Sequence, residues 1–142
     1  MKCVFSTVVT TLISFGIVCN AQAQDGLLGI AFVQAPEMGG GVAVDTDMER
    51  AFDKATEECM SNGAEARDCL RANWCQPAGW SVDLFLQHEE GVHWHEVVCG
   101  FATEAIARAA VANLCDTTDR SYIVACLMVQ LYDPKGTEMM DN

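Results

Sequence analysis

The chain has 142 residues, about half of them hydrophobic, and carries 8 basic against 20 acidic side chains, a formal net charge of −12 at pH 7. That balance argues against nucleic acid, whose phosphates need a basic face to displace their counterions, and against anionic lipid surfaces. A basic partner or a cation remains open, and so does an acidic surface that only keeps an exported protein soluble.

In chain order, residues 1–23 read as an export signal. Lys2 is the early charge, the apolar run from Val8 to Val18 is too short to span a bilayer, and Ala21-Gln22-Ala23 has the small-x-small pattern of a cleavage site. Cleavage would make Gln24 the first mature residue and leave seven basic and twenty acidic side chains, net −13. Lipidation at Cys19 is disfavoured, because Val18 stands where a small residue is expected. No later run is long enough for a membrane helix, so the mature chain is expected to be soluble in the periplasm or secreted, without membrane insertion.

Of eight cysteines, six follow the signal: Cys59, Cys69, Cys75, Cys99, Cys115 and Cys126. An even number in an exported chain reads as a disulfide framework with three bridges and fifteen possible pairings.

Gly29 to Val33 (GIAFV) and Val42 to Val44 read as strands separated by Pro36 and the Gly39-Gly40-Gly41 run. That run lacks the lysine and helix start of a phosphate loop and reads as a turn. A first helix is expected from Thr46-Asp47-Met48-Glu49, where threonine and the glutamate three residues on can form a capping box. Its apolar side would be Met48, Ala51, Phe52, Ala55 and Cys59, and Asn62-Gly63 would stop it. Cys69 to Trp74 reads as extended, Gln76 to Gly79 as a turn, and Ser81 to His88 and Val92 to Cys99 as a hairpin.

A second helix opens at Thr103-Glu104, with Ile106, Ala110 and Leu114 on a narrow apolar side and Cys115 near its last turn, and Tyr122 to Tyr132 is a further strand. Cys59 precedes Cys69 by nine intervening residues and Cys115 precedes Cys126 by ten, which reads as an internal repeat of helix, cysteine, connector and cysteine-bearing strand. The expected pairs are Cys59 with Cys69 and Cys115 with Cys126, leaving Cys75 for Cys99. Asp133-Pro134-Lys135-Gly136 is a type I turn signature. Residues 137–142 read as a flexible tail after a disulfide-rich α+β domain spanning 24–136.

The helices carrying Ala51, Ala55, Cys59 and, as a variant, Ala107, Val111, Cys115, each followed by a strand cysteine, together with the early Gly29-Ile30-Ala31 strand, resemble the secreted bacterial domains grouped as domain of unknown function 4189. The likeness covers roughly residues 28–132, and the long insertion with a histidine-rich hairpin between Cys75 and the second helix departs from the pattern. It implies an exported α+β domain with paired cysteines and brings no activity or catalytic residue.

The hairpin holds the densest set of chemical groups, "QHEEGVHWHEVVCG" at 87–100. His93 and His95 share a strand face, where Asp83 or Gln87 could complete a weak divalent-metal set. A three-residue loop, Glu89-Glu90-Gly91, puts His88 opposite Val92 and away from them. A two-residue loop would put all three imidazoles on one face but demands positive φ at Glu90, so the longer loop is expected. It places Val82, Leu84, Leu86, Val92, Trp94 and Val98 on one side, and Asp83, Phe85, Gln87, His93, His95 and Cys99 on the other. The five-residue step from His88 to His93 excludes the helical H-E-x-x-H zinc motif. Ser61, Ser81 and Ser121 lie in no nucleophile elbow, every mature cysteine has an expected partner, and no pocket is implied, so no catalytic residue is assigned. Trp74, Trp80 and Trp94 either pack in the core or form an aromatic contact surface.

The expectation is an α+β fold of two helices on an antiparallel sheet of about six strands, stapled by three disulfides. Its function would be a non-enzymatic binding module for an unknown protein or small ligand of the envelope, needing no cofactor. A divalent-metal-binding periplasmic protein and an inhibitor or envelope-stress accessory are the alternatives.

Overall fold

A computed structural model describes residues 26–36 and 38–139. The expected signal sequence with its cleavage site, and residues 140–142, lie outside them.

Strands β1 (Gly29–Ala35) and β2 (Gly39–Asp45) form an antiparallel hairpin, and β3 (Leu70–Cys75) pairs antiparallel on the other side of β1. Period-two alternation splits β1 cleanly. Ala31, Val33 and Ala35 pack with Ala51, Phe52, Ala55 and Cys59 of helix α1 (Met48–Ser61), whereas Ile30 and Phe32 point to the opposite face. The expected loop through Gly39-Gly40-Gly41 is therefore shorter: the glycines already belong to β2, with Gly39 opposite Ala35. Helix α1 lies so close to β2 that a Cβ at Gly41 would fall 1.9 Å from the Ala55 carbonyl oxygen.

The second sheet has the order β5-β4-β6-β7, all antiparallel: β4 (Trp80–His88), β5 (His93–Phe101), β6 (Ile123–Tyr132) and the short β7 (Glu138–Met139). Val82, Leu84 and Leu86 are fully buried beneath helix α2 (Glu104–Leu114), which contributes Ala107, Val111 and Leu114. The other face of this sheet meets the first. Ile30 and Phe32 pack against Tyr132, with Val42, Val44, Cys75, Val97 and Cys99 around them.

The class is α+β with two helices and antiparallel strands among the described residues, as expected, but their seven strands divide into two facing sheets with a helix on each outer side. Two sheets form because β1 and β6 each carry apolar residues on both faces, so a single sheet under two helices would leave one set in water. The disulfides follow this plan at ordinary Cα separations. Cys59–Cys69 ties the end of α1 to the approach to β3 at 6.1 Å, Cys115–Cys126 ties the end of α2 to β6 at 5.5 Å, and Cys75–Cys99 joins the two sheets at 5.9 Å. These are the pairs expected from the spacing.

Three local expectations need correction. Helix α1 is capped by Asp47, whose carboxylate accepts from the Arg50 backbone N–H at 3.0 Å, because Thr46 is drawn to Asp45 and Arg50 instead. Met48 and Ile106 are exposed, since the strips that meet the sheets run through Ala51, Ala55 and Cys59 and through Ala107, Val111 and Leu114. The tail begins with order: Asp133 accepts from the Thr137 N–H at 2.9 Å, closing a turn that sends Glu138 and Met139 back alongside Tyr132 and Leu131. Among the described residues no helix is long and apolar enough to cross a membrane.

Candidate functional site

The β4–β5 hairpin takes the longer loop. His88 N–H donates to the Val92 carbonyl at 2.7 Å, Gly91 N–H donates to the His88 carbonyl at 2.9 Å, and Gly91 adopts φ +91°, a conformation that glycine reaches without a Cβ penalty. Gln87 lies opposite His93, Phe85 opposite His95 and Asp83 opposite Val97, so the register puts His93, His95 and Asp83 on one face. His88 stands apart, its ring 5.2 Å from that of Tyr122 and its Nδ1 accepting the Glu90 N–H at 3.1 Å.

On the shared face the histidines do different things. His95 Nδ1 sits 3.0 Å from both carboxylate oxygens of Asp83. An ionised carboxylate only accepts, so Nδ1 carries the proton and Nε2 is the nitrogen left for another group. Burial raises the Asp83 pKa above the ordinary carboxylate range, and His95 works against that rise. His93 instead stacks on Phe85, centroids 5.4 Å apart, and the same phenyl ring meets His95 edge-on at 5.8 Å. Asp83 and His95 are thus brought together, while His93 is held by an aromatic contact. Among the described residues no three histidine, cysteine or carboxylate side chains converge as a set that could hold a metal ion.

Among the described residues, this face is covered only at its base. Near the disulfide, Val97 and Cys99 lie under the first sheet, and Asn73 Nδ2 donates to the Val97 carbonyl at 2.8 Å. Toward the tip, His93 and His95 are exposed and Phe85 is half-buried. Leu127 of β6 lies opposite Phe85 on its other side and is also exposed, adding an apolar edge to the patch. The sequence reading missed Leu127 because the run Ile123 to Tyr132 is apolar on both faces, which hides its period. Val92, expected on the core side, is exposed because the chain is already leaving the sheet at the loop.

The three tryptophans do not form one surface. Trp74 lies over Gly29 and beside Phe52 in the α1 layer, ring centroids 6.3 Å apart. Trp80 and Trp94 pack in the α2 layer, where the Trp94 indole N–H donates to Glu96 at 3.0 Å. Ser81 is buried, with its hydroxyl donating to the Gly79 carbonyl at 3.1 Å. Comparison of the chain with protein-family models, curated proteins and solved structures gives no match.

Proposed function

We propose that this chain is an exported, disulfide-stapled binding module without catalytic activity, and that it engages its ligand with the outer part of the β4–β5 hairpin. The observation that carries the reading is the patch of Phe85, His93, His95 and Leu127, half-buried or exposed among the described residues, on a strand pair whose base is tied by Cys75–Cys99. Exposed aromatic and imidazole groups on regular strands offer contact area with few rotamers to freeze, which favours binding over chemistry. Apart from the short β7, both halves run strand, strand, helix, strand, with the first strand between the other two and a disulfide from the helix end, which supports reading them as two copies of one unit. Three bridges suit an oxidising compartment, periplasmic or extracellular. The resemblance to the secreted domains of unknown function agrees with that placement.

The test is affinity capture from an envelope extract with the wild-type chain and with a Phe85→Ala/His93→Ala variant. A protein enriched by the first and lost with the second supports the module. Equal enrichment by both removes the hairpin from the account.

A second reading, divalent-metal binding, rests on the Asp83 contact to His95 Nδ1, since a carboxylate there is the usual way of aiming Nε2 at a metal. Calorimetry with zinc, copper and nickel would show heat that vanishes in His93→Ala/His95→Ala if this holds. No heat with the wild-type chain rejects it.

A further inference from the structure

The hairpin face offers acceptors and negative charge around an apolar centre. Phe85 and Leu127 lie opposite each other across β4 and β6 and form that centre. Beside it, Asp83 takes the Nδ1 proton of His95, so Nε2 of the neutral, exposed imidazole is an acceptor. At the open end of the face, Glu89 and Glu90 are exposed in the loop. The Glu89 N–H donates to the Tyr122 carbonyl at 2.8 Å, which brings the 116–122 loop, with exposed Asp116 and Asp119, to the same end. Arg120, the base of that loop, is committed elsewhere: it donates to the Leu114 carbonyl at 2.9 Å and lies 3.5 Å from Glu96. Among the described residues no base pairs with Glu89, Glu90 or Asp119. Acids beside α1 are answered differently, Asp45 by Arg50 and Lys54 and Glu49 by Arg71.

We infer that the occupant of this face is a basic polypeptide segment of another protein, which sets an apolar side chain on Phe85 and Leu127 and its lysine or arginine groups against Glu89, Glu90 and the acceptor nitrogen of His95. The inference rests on the hairpin face being the ligand surface and names the chemistry of the ligand. Ammonium and guanidinium groups are donors only, so they match a face whose polar groups accept. Complementary potentials of this kind steer encounter and reject partners of the wrong sign. An anionic ligand would meet carboxylates and a lone pair, and a second copy of this chain would bring its own excess of acid. A bare cation or a polyamine has no use for the phenyl ring and Leu127, whereas a peptide can supply charge and an apolar side chain together. The aromatic centre then contributes hold and the acidic rim contributes selection.

Fluorescence anisotropy of short labelled peptides tests this with the oxidised chain at about 1 to 300 μM, in EDTA so that no metal contributes. One peptide alternates lysine with leucine around a central phenylalanine, a second has glutamate for every lysine, and a third has lysine throughout. The first should bind, more weakly as salt rises from about 0.05 to 0.5 M, and the other two should bind at least ~10-fold less tightly. Glu89→Gln/Glu90→Gln removes two exposed loop charges and should weaken the first peptide about fivefold. Asp53→Asn/Glu57→Gln removes the same charge from exposed positions of α1 and should leave binding unchanged. Thermal melting confirms that each variant is folded. Equal weakening by the two variants would reduce the effect to bulk acidity and overturn the inference, as would tight binding of the second or third peptide, or binding of none. An acidic peptide bound by the parent and lost with Phe85→Ala/His93→Ala would overturn the basic partner and keep the hairpin surface. A basic peptide bound equally by that variant would remove both.

Discussion

At the scale of single residues, two aspartates carry opposite pH signatures. Asp45 accepts from Arg50 and Lys54, each at 2.8 Å, and these partners, Arg50 foremost, hold its carboxyl well below the usual range. A depressed carboxyl contributes stability above its unfolded pKa of about 3.9 and loses it as the pH falls toward the folded value. Asp83 is raised, first by burial, so the folded chain holds its proton more tightly than the unfolded one. Its contribution is greatest in acid and declines as the pH rises from about 4 through the folded value. Urea midpoints measured from pH 2.5 to 7 should therefore diverge for the two substitutions. Asp45→Asn should be less stable than the parent at pH 7, with the gap closing in acid, whereas the balance between Asp83→Asn and the parent should move in favour of the variant as the pH rises. The Asp83 face was legible from sequence because the loop at 89–91 fixes the register. What was not legible is that Phe85 would occupy both imidazoles, since alternation gives the face of a side chain and says nothing of its rotamer.

Elements were legible in existence and less so at their edges. Both helices follow from spacing, yet the α1 cap sits at Asp47, one residue past the threonine of the expected box, because Asp45 competes for Thr46 and Arg50. The glycine run misled for a different reason: glycine marks turns, but it also marks places where a backbone must come close. At Gly41 that neighbour is α1, with the Ala55 oxygen and the Cys59 nitrogen 1.9 and 2.7 Å from where a Cβ would stand. Gly41→Ala should therefore push α1 off β2 and destabilise the chain by about 2 kcal/mol, within the range for overpacked sites. Gly91→Ala meets no neighbour among the described residues and bears the strain of positive φ, about 1 kcal/mol. Guanidinium denaturation of the two variants checks the order. Equal losses would mean that the helix yields at no expense and that the contact does not set the α1–β2 distance.

For the whole molecule, spacing foretold the cysteine pairs but could not divide the strands between sheets, because pairing partners far apart in sequence leave no local mark. The division gives the three bridges unequal roles. Cys59–Cys69 and Cys115–Cys126 each staple a helix to its own half across 10 and 11 positions, while Cys75–Cys99 spans 24 and is the covalent link between the sheets. On chain entropy alone its removal should cost about 3.5 kcal/mol, against about 2.8 for Cys115–Cys126. The interface it spans has a small core, Ile30 and Phe32 meeting Tyr132 with the Phe32 and Tyr132 rings edge-on at 5.3 Å, whereas each helix layer buries its own cluster. Cys75→Ala/Cys99→Ala should therefore also change the character of unfolding, letting one half open before the other. The tryptophans report this separately, since Trp74 lies in the α1 layer and Trp80 and Trp94 in the α2 layer. Single-tryptophan versions of the bridge-less chain should give urea transitions that do not coincide, and the same versions with the bridge intact should give one. Coincident transitions in both would show that the sheet interface couples the halves without its sulfur link, and that the bridge acts only by restricting the unfolded chain.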